Sequence, residues 1–129
     1  MILPITLSAA AAAALLNIWL SVRCGMVRTS EKISIGDGGN EKLIARMRAH
    51  SNFVENAPFV LVLIGVLELA HGGSTALAAV AGVFMLGRVA HGLGMDGGGF
   101  AKGRMAGTLI TMLTLLGLGI WAILTALGN

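Results

Sequence analysis

Arg48, Asn52, Glu55 and Phe59 recur at i, i+4, i+7 and i+11, which puts a cation, an amide, an anion and an aromatic ring on one helical stripe, with Ser51 beside them. Arg88, His91 and Met95 repeat at i, i+3, i+7, and Arg104, Thr108 and Thr111 at i, i+4, i+7. Guanidinium groups hold anions by paired, charge-assisted hydrogen bonds, while amide, hydroxyl and imidazole groups fix a polar ligand's orientation. Three stripes of this kind point to one polar site for an anionic ligand. Two assignments stay open for the charges. Arg48 or Arg88 neutralises Glu55 across helices and holds the bundle together, or these groups contact the ligand directly. At Arg104 cations outnumber nearby anions, which leaves an excess positive charge for a ligand to fill.

The elements that must carry these residues are apolar helices. Hydrophobic residues make up 56% of the 129 and charged residues 12%, and mean hydropathy is +0.86. Ile2 to Val22 and Leu109 to Leu127 contain no Asp, Glu, Lys or Arg, each close to the ~20 residues that cross a bilayer. Phe53 to Ala70 carries charge only at Glu55 and Glu68, and Ser74 to Val89 only at Arg88. A charge facing lipid costs roughly 2.5 kcal/mol or more, so these groups must face protein and the polar stripes must converge. The expectation is an all-α, integral membrane four-helix bundle forming one domain over 1–129, with helices over about 2–27, 41–70, 74–95 and 103–127. Met1 to Leu20 lacks the basic opening of a cleaved signal, so the first segment is expected to be retained.

All nine Lys and Arg lie between Arg23 and Arg104, with none in Ala49 to Gly87. The positive-inside rule then places loops 28–41 and 96–102 in the cytoplasm, with both termini and the His71-Gly-Gly-Ser74 turn opposite. Asn40 before Glu41 reads as a helix cap followed by an acid in the first turn. The glycines of Gly36-Asp-Gly-Gly-Asn40 belong to a loop without the acidic ligands of a calcium site. Gly97-Gly-Gly-Phe-Ala-Lys-Gly103 lacks the Gly-Lys-Ser/Thr ending of a phosphate loop. His50 and His91 have no ligand-spaced partners, so no metal site is expected. His71 reads as a solvated turn residue, Glu68 as interfacial, and the single Cys24 as a packing residue. A pI near 9.8 without interleaved aromatics argues against nucleic acid. Anionic membrane lipids suit Lys32 and Lys42 instead.

Taken in order, Gly36-Asp-Gly-Gly-Asn40, Arg48-Ala-His-Ser-Asn52 with Glu55 and Pro58, Gly87-Arg-Val-Ala-His91, and Arg104 with Gly107 and Thr108 resemble the membrane-associated proteins in eicosanoid and glutathione metabolism (MAPEG). The likeness is to short bacterial members and to microsomal glutathione transferases. It implies a homotrimer in the inner membrane, with glutathione between neighbouring subunits near the cytoplasmic face. It also implies that Asn52 and Glu55 contact the peptide's polar ends, with Ser51 beside them, and that Arg28 reaches in from the neighbour. His91 and Thr108 would bind the ligand, Arg48 and Arg88 would brace Glu55, and Arg104 would lie near the sulfur as the catalytic group. A guanidinium there favours thiolate, the nucleophile that attacks a lipophilic electrophile or reduces a hydroperoxide.

Three departures stand out. Met105 follows Arg104 where the prostaglandin synthase of the family has serine, Ser51 replaces a second arginine, and the chain has no tyrosine. The expected function is therefore a glutathione transferase or peroxidase first, and a catalytically degenerate scaffold or sensor second. A small multidrug-type transporter using Glu55 ranks third, because Arg48, Arg88 and Arg104 repel a cationic cargo.

Overall fold

A computed structural model of the chain describes residues 1–128. Four helices follow one another: α1 Pro4–Glu31, α2 Glu41–His71, α3 Thr75–Gly94 and α4 Lys102–Ala126, with a single 3₁₀ turn at Gly98–Phe100 before α4. There is no strand among the described residues. Each helix is long and apolar enough to cross a membrane. Proline opens α1, where its missing N–H would have had no helical partner. The helix continues to Glu31, past the expected end near 27, and closes on Lys32 in the left-handed conformation, φ 58°. Asn40 caps α2 by accepting from Leu43 N at 2.9 Å, and Ser74 caps α3 by accepting from Leu77 N at 3.1 Å. Pro58 lies inside α2, which membrane helices tolerate when neighbouring groups satisfy the freed carbonyl.

The helices form a four-sided bundle in which α1 packs on α2 and α3, and α4 packs on α3 and α2. Its core is drawn mainly from α2 and α3, with Phe53, Val60, Ile64, Leu67, Leu77 and Phe84 buried together against Leu20 of α1 and Leu118 of α4. A second small cluster, Cys24, Val27 and Leu43, closes the end of the bundle near the α1–α2 loop. Large apolar side chains such as Leu7, Leu15, Leu86, Leu113 and Leu116 point outward. In a bilayer such a surface is matched to lipid tails, so close packing rather than hydrophobic exclusion must join the helices. The closest approach is between α3 and α4. A Cβ on Gly107 would overlap the Gly87 carbonyl oxygen and sit 2.5 Å from His91 Cβ. Gly103 similarly admits the Ala90 oxygen, 2.6 Å from where its Cβ would be. Gly82, by contrast, faces open space.

Two expectations about the outer end are corrected. Glu68 is not interfacial: it is 2% exposed and accepts from Ile5 N at 3.0 Å, Thr6 N at 2.8 Å and Thr6 Oγ1 at 2.6 Å. The first turn of α1 has N–H groups with no carbonyl to bind and a positive dipole end, and Glu68 supplies both acceptor and charge. His71 is not a free turn residue either, since it ends α2 and its Nε2 lies 2.7 Å from Thr125 Oγ1. The Thr125 hydroxyl donates to Trp121 O, so His71 Nε2 is the donor; its ring lies 5.8 Å from that of Trp121. Both contacts tie the outer ends of helices distant in sequence.

The α3–α4 contact generates a stability prediction. Gly107→Ala overpacks the crossing and destabilises the bundle by about 1–3 kcal/mol, which thermal unfolding in detergent reads as a lower midpoint. Gly82→Ala leaves the midpoint unchanged or slightly raised. Equal midpoints for both variants would contradict the crossing described.

Candidate functional site

Arg88 is the largest fully buried side chain among the described residues, 2% exposed, in the second half of α3. Its Nη1 donates to Thr111 Oγ1 of α4 at 2.9 Å, and its Nη2 donates to Asn52 Oδ1 of α2 at 2.6 Å. The same Nη2 lies 3.4 Å from Nδ1 of His91, one turn along α3. A guanidinium has no acceptor, so Nδ1 accepts and the imidazole proton resides on Nε2. Thr111 commits its own hydroxyl proton to Gly107 O at 2.9 Å, which leaves its lone pair for Arg88. The Nε of Arg88 is buried without a hydrogen-bond partner. This is a cation embedded in the bundle, held by neutral groups from three helices and by no carboxylate.

The structure thus brings Asn52, Arg88 and His91 together and adds Thr111. The expected ion pairs do not form within the subunit. Among the described residues the ion pairs both end on Asp96, from Arg23 and Arg46, and neither Arg48 nor Arg88 pairs with Glu55. The reason is rotational. Asn52 turns inward to meet Arg88, whereas Arg48, Ser51 and Glu55 lie on the exposed side of α2. Glu55 lines a shallow recess of ≈ 320 Å³ with His50, Ser51 and Val54. His50 itself is bound to Asn17 Oδ1 of α1 at 2.7 Å.

Arg104 and Thr108 sit on the exposed side of α4, where Thr108 Oγ1 donates to Arg104 O at 2.9 Å. With Ala101, Met105, Leu109 and Met112 they line an apolar groove of ≈ 540 Å³. Met105, where a serine was the comparison, is 76% exposed and part of that wall. Arg28 is engaged within its own subunit. It donates to Gly36 O at 2.7 Å and Ile33 O at 3.5 Å, with Met47 Sδ at 3.6 Å, and so braces the α1–α2 loop. The positive φ of 72° at Gly36 belongs to the turn that brings this carbonyl back towards α1. Among the described residues no three His, Cys, Asp or Glu side chains are grouped as metal ligands.

Sequence reasoning missed the Arg23–Asp96–Arg46 cluster. The available signal was that Asp96 is the single acid after Glu68, immediately beyond a helix and opposite two loop-proximal arginines. Arg23 also stacks over Trp19, 5.0 Å from the ring centroid.

Chemically, then, one subunit offers a buried, carboxylate-free cation with amide, hydroxyl and imidazole around it, and two exposed polar faces, on α2 and on α4. The MAPEG family model matches residues 6–124. An inner membrane protein of Escherichia coli, YecN, is 30% identical over 111 residues, covering 84% of this chain and 84% of that protein. The same protein from a second strain of that species matches equally. With four helices able to span a bilayer, the chain is an integral inner-membrane protein, and it belongs to the MAPEG family.

Proposed function

We propose that this protein binds glutathione between the subunits of a homotrimer and presents its thiol to lipophilic electrophiles or hydroperoxides, as a membrane transferase or peroxidase. The observation that carries the proposal is Arg88: a buried guanidinium whose Nε has no partner and which no carboxylate neutralises. A buried charge left in this state is costly unless an anion or strong acceptors complete its shell. Glutathione brings two carboxylates, an α-amino group and a thiol, and so suits a pocket with one interior cation and further cations at its edge. When bound, it supplies the nucleophilic sulfur.

This chain's residues divide the remaining work. Asn52 offers its amide N–H to a carboxylate and His91 Nε2–H offers another donor, with the buried Arg88 behind both supplying positive charge, and Glu55 suits the peptide's amino group. Arg104, at the mouth of the apolar groove containing Met105 and Met112, places positive charge where sulfur would meet a lipophilic substrate, favouring thiolate over thiol. Subunit association follows from the same geometry. Arg48, Ser51 and Glu55 on α2 and Arg104 and Thr108 on α4 are exposed on the single subunit, which lipid tolerates poorly. A second copy laid on these faces would cover them and enclose the ligand. In this assembly loops 28–41 and 96–102 face the cytoplasm. A non-catalytic scaffold or sensor is the second reading, favoured by one observation: Met105 puts a thioether on the groove wall where a hydroxyl would assist the thiol.

Two experiments on purified protein in detergent test the proposal. Glutathione titrated against pH and followed by ultraviolet thiolate absorbance is expected to ionise well below the free thiol's range in the wild type. Arg104→Ala should return it towards the free value with the fold intact; an unchanged thiolate signal in that variant would remove Arg104 from its role. Arg88→Met removes the buried charge together with the donors to Asn52 and Thr111, so the variant is compared with wild type once circular dichroism shows that it has kept its helices; glutathione binding is then expected to weaken roughly tenfold. Wild-type affinity in Arg88→Met, measured by calorimetry, would contradict the pocket assignment.

A further inference from the structure

Asp96 lies just beyond the C-terminus of α3 and is the meeting point of three helices. Its carboxylate accepts from Arg23 Nη2 of α1, and from Arg46 Nε of α2 at 3.4 Å. The two arginines are locked in turn. Arg23 Nη1 donates to Gly92 O at 2.9 Å, and Arg46 Nη1 donates to Arg23 O at 3.0 Å. Residues 92–96 are thereby fastened to α1 by the charge-assisted bonds of Arg23, with a longer contact to Arg46 of α2, which in turn holds the Arg23 backbone. The other side of the same segment bears on α4. A Cβ on Gly94 would overlap Arg104 N, and would stand 2.7 Å from the Gly103 carbonyl carbon and 3.0 Å from Arg104 Cα. The backbone that carries Arg104 therefore rests directly on a segment that Asp96 ties down.

We infer that Asp96 is the positioning residue for Arg104, setting where its guanidinium stands by fixing the end of α3 against α1 and α2. Asp96 itself is not hydrogen-bonded to Arg88 or to the groups around it. Arg23 is largely buried, with a side chain 10% exposed, so deleting its carboxylate partner leaves an uncompensated charge and frees the end of α3. Displacement is transmitted to Arg104 because Gly94 leaves no gap between the two backbones. A shift of ~1 Å in a group that must meet a reacting atom costs on the order of a hundredfold in rate. The consequence for sulfur ionisation rests on the glutathione reading above; the mechanical link from Asp96 to Arg104 does not.

Hydrogen exchange on detergent-solubilised wild type, Asp96→Asn and Asp96→Glu separates the two. Asp96→Asn is expected to speed exchange of the amides of residues 104–108 about tenfold through local opening, with residues 60–68 of α2 unchanged, and Asp96→Glu to restore most of the protection. In the thiolate titration, Asp96→Asn should raise the apparent pKa of the bound thiol by about one unit, about tenfold less thiolate at a given pH. Unchanged exchange at 104–108, or faster exchange spread equally over all helices, overturns the inference. So does local loosening with the bound thiol's ionisation unaltered. If the wild type binds no glutathione while the local loosening is seen, the positioning stands and the glutathione reading falls. Should Asp96→Asn not fold, Arg46→Met removes one of the two donors. It is expected to loosen the same amides to a smaller degree, and no effect there overturns the inference.

Discussion

The interaction on which the rest of the structure depends is the burial of Arg88 between Asn52, Thr111 and His91. A guanidinium inside a membrane bundle needs hydrogen-bond acceptors, and here those of its two Nη groups come from α2, from α4 and from the next turn of α3, while Nε has none. That requirement fixes the rotation of three helices at once. It forces α3 and α4 to approach closely enough for Thr111 to reach Nη1, which the Gly87, Gly103 and Gly107 contacts permit. It turns Asn52 inward and, by the 100° step of the α-helix, carries Ser51 and Glu55 to the outer face. No carboxylate neutralises Arg88, and its Nε is left without a hydrogen-bond partner.

The two ends of the bundle are held by different means. At one end Glu68 serves as the acceptor for the opening turn of α1, and His71 joins Thr125. At the other, Asp96 gathers Arg23 and Arg46, and Arg28 secures the α1–α2 loop. The polar residues between these ends are of two kinds. Some are committed inside the subunit; others, Arg48, Ser51, Glu55, Arg104 and Thr108, remain on its surface. The association proposed above would cover these outer polar groups, which lipid tolerates poorly.

The helices were legible because length and hydropathy determine membrane spans, and the start of α2 because Asn40 and Glu41 mark a cap. The convergence of Asn52, Arg88 and His91 was legible as well, since polar groups in an apolar span have few places to go. Rotational detail was not. A stripe at i, i+4, i+7 covers a broad arc of the helix, and only packing decides that Asn52 falls inside it and Glu55 outside. Glu68 was misread for a related reason: from sequence an acid near a span's end looks interfacial, and nothing local announces that the N–H groups of Ile5 and Thr6 will arrive beside it. The Asp96 cluster joins Asp96 to residues 73 and 50 positions away, beyond any local pattern.

The central claim is that a carboxylate-free cationic pocket, completed by association, receives a thiol peptide. Native mass spectrometry of the protein released from detergent micelles, with and without millimolar glutathione, tests it most directly. The account predicts trimers that gain the mass of glutathione, up to one per subunit. Monomers, or trimers that take up no glutathione at that concentration, would contradict it.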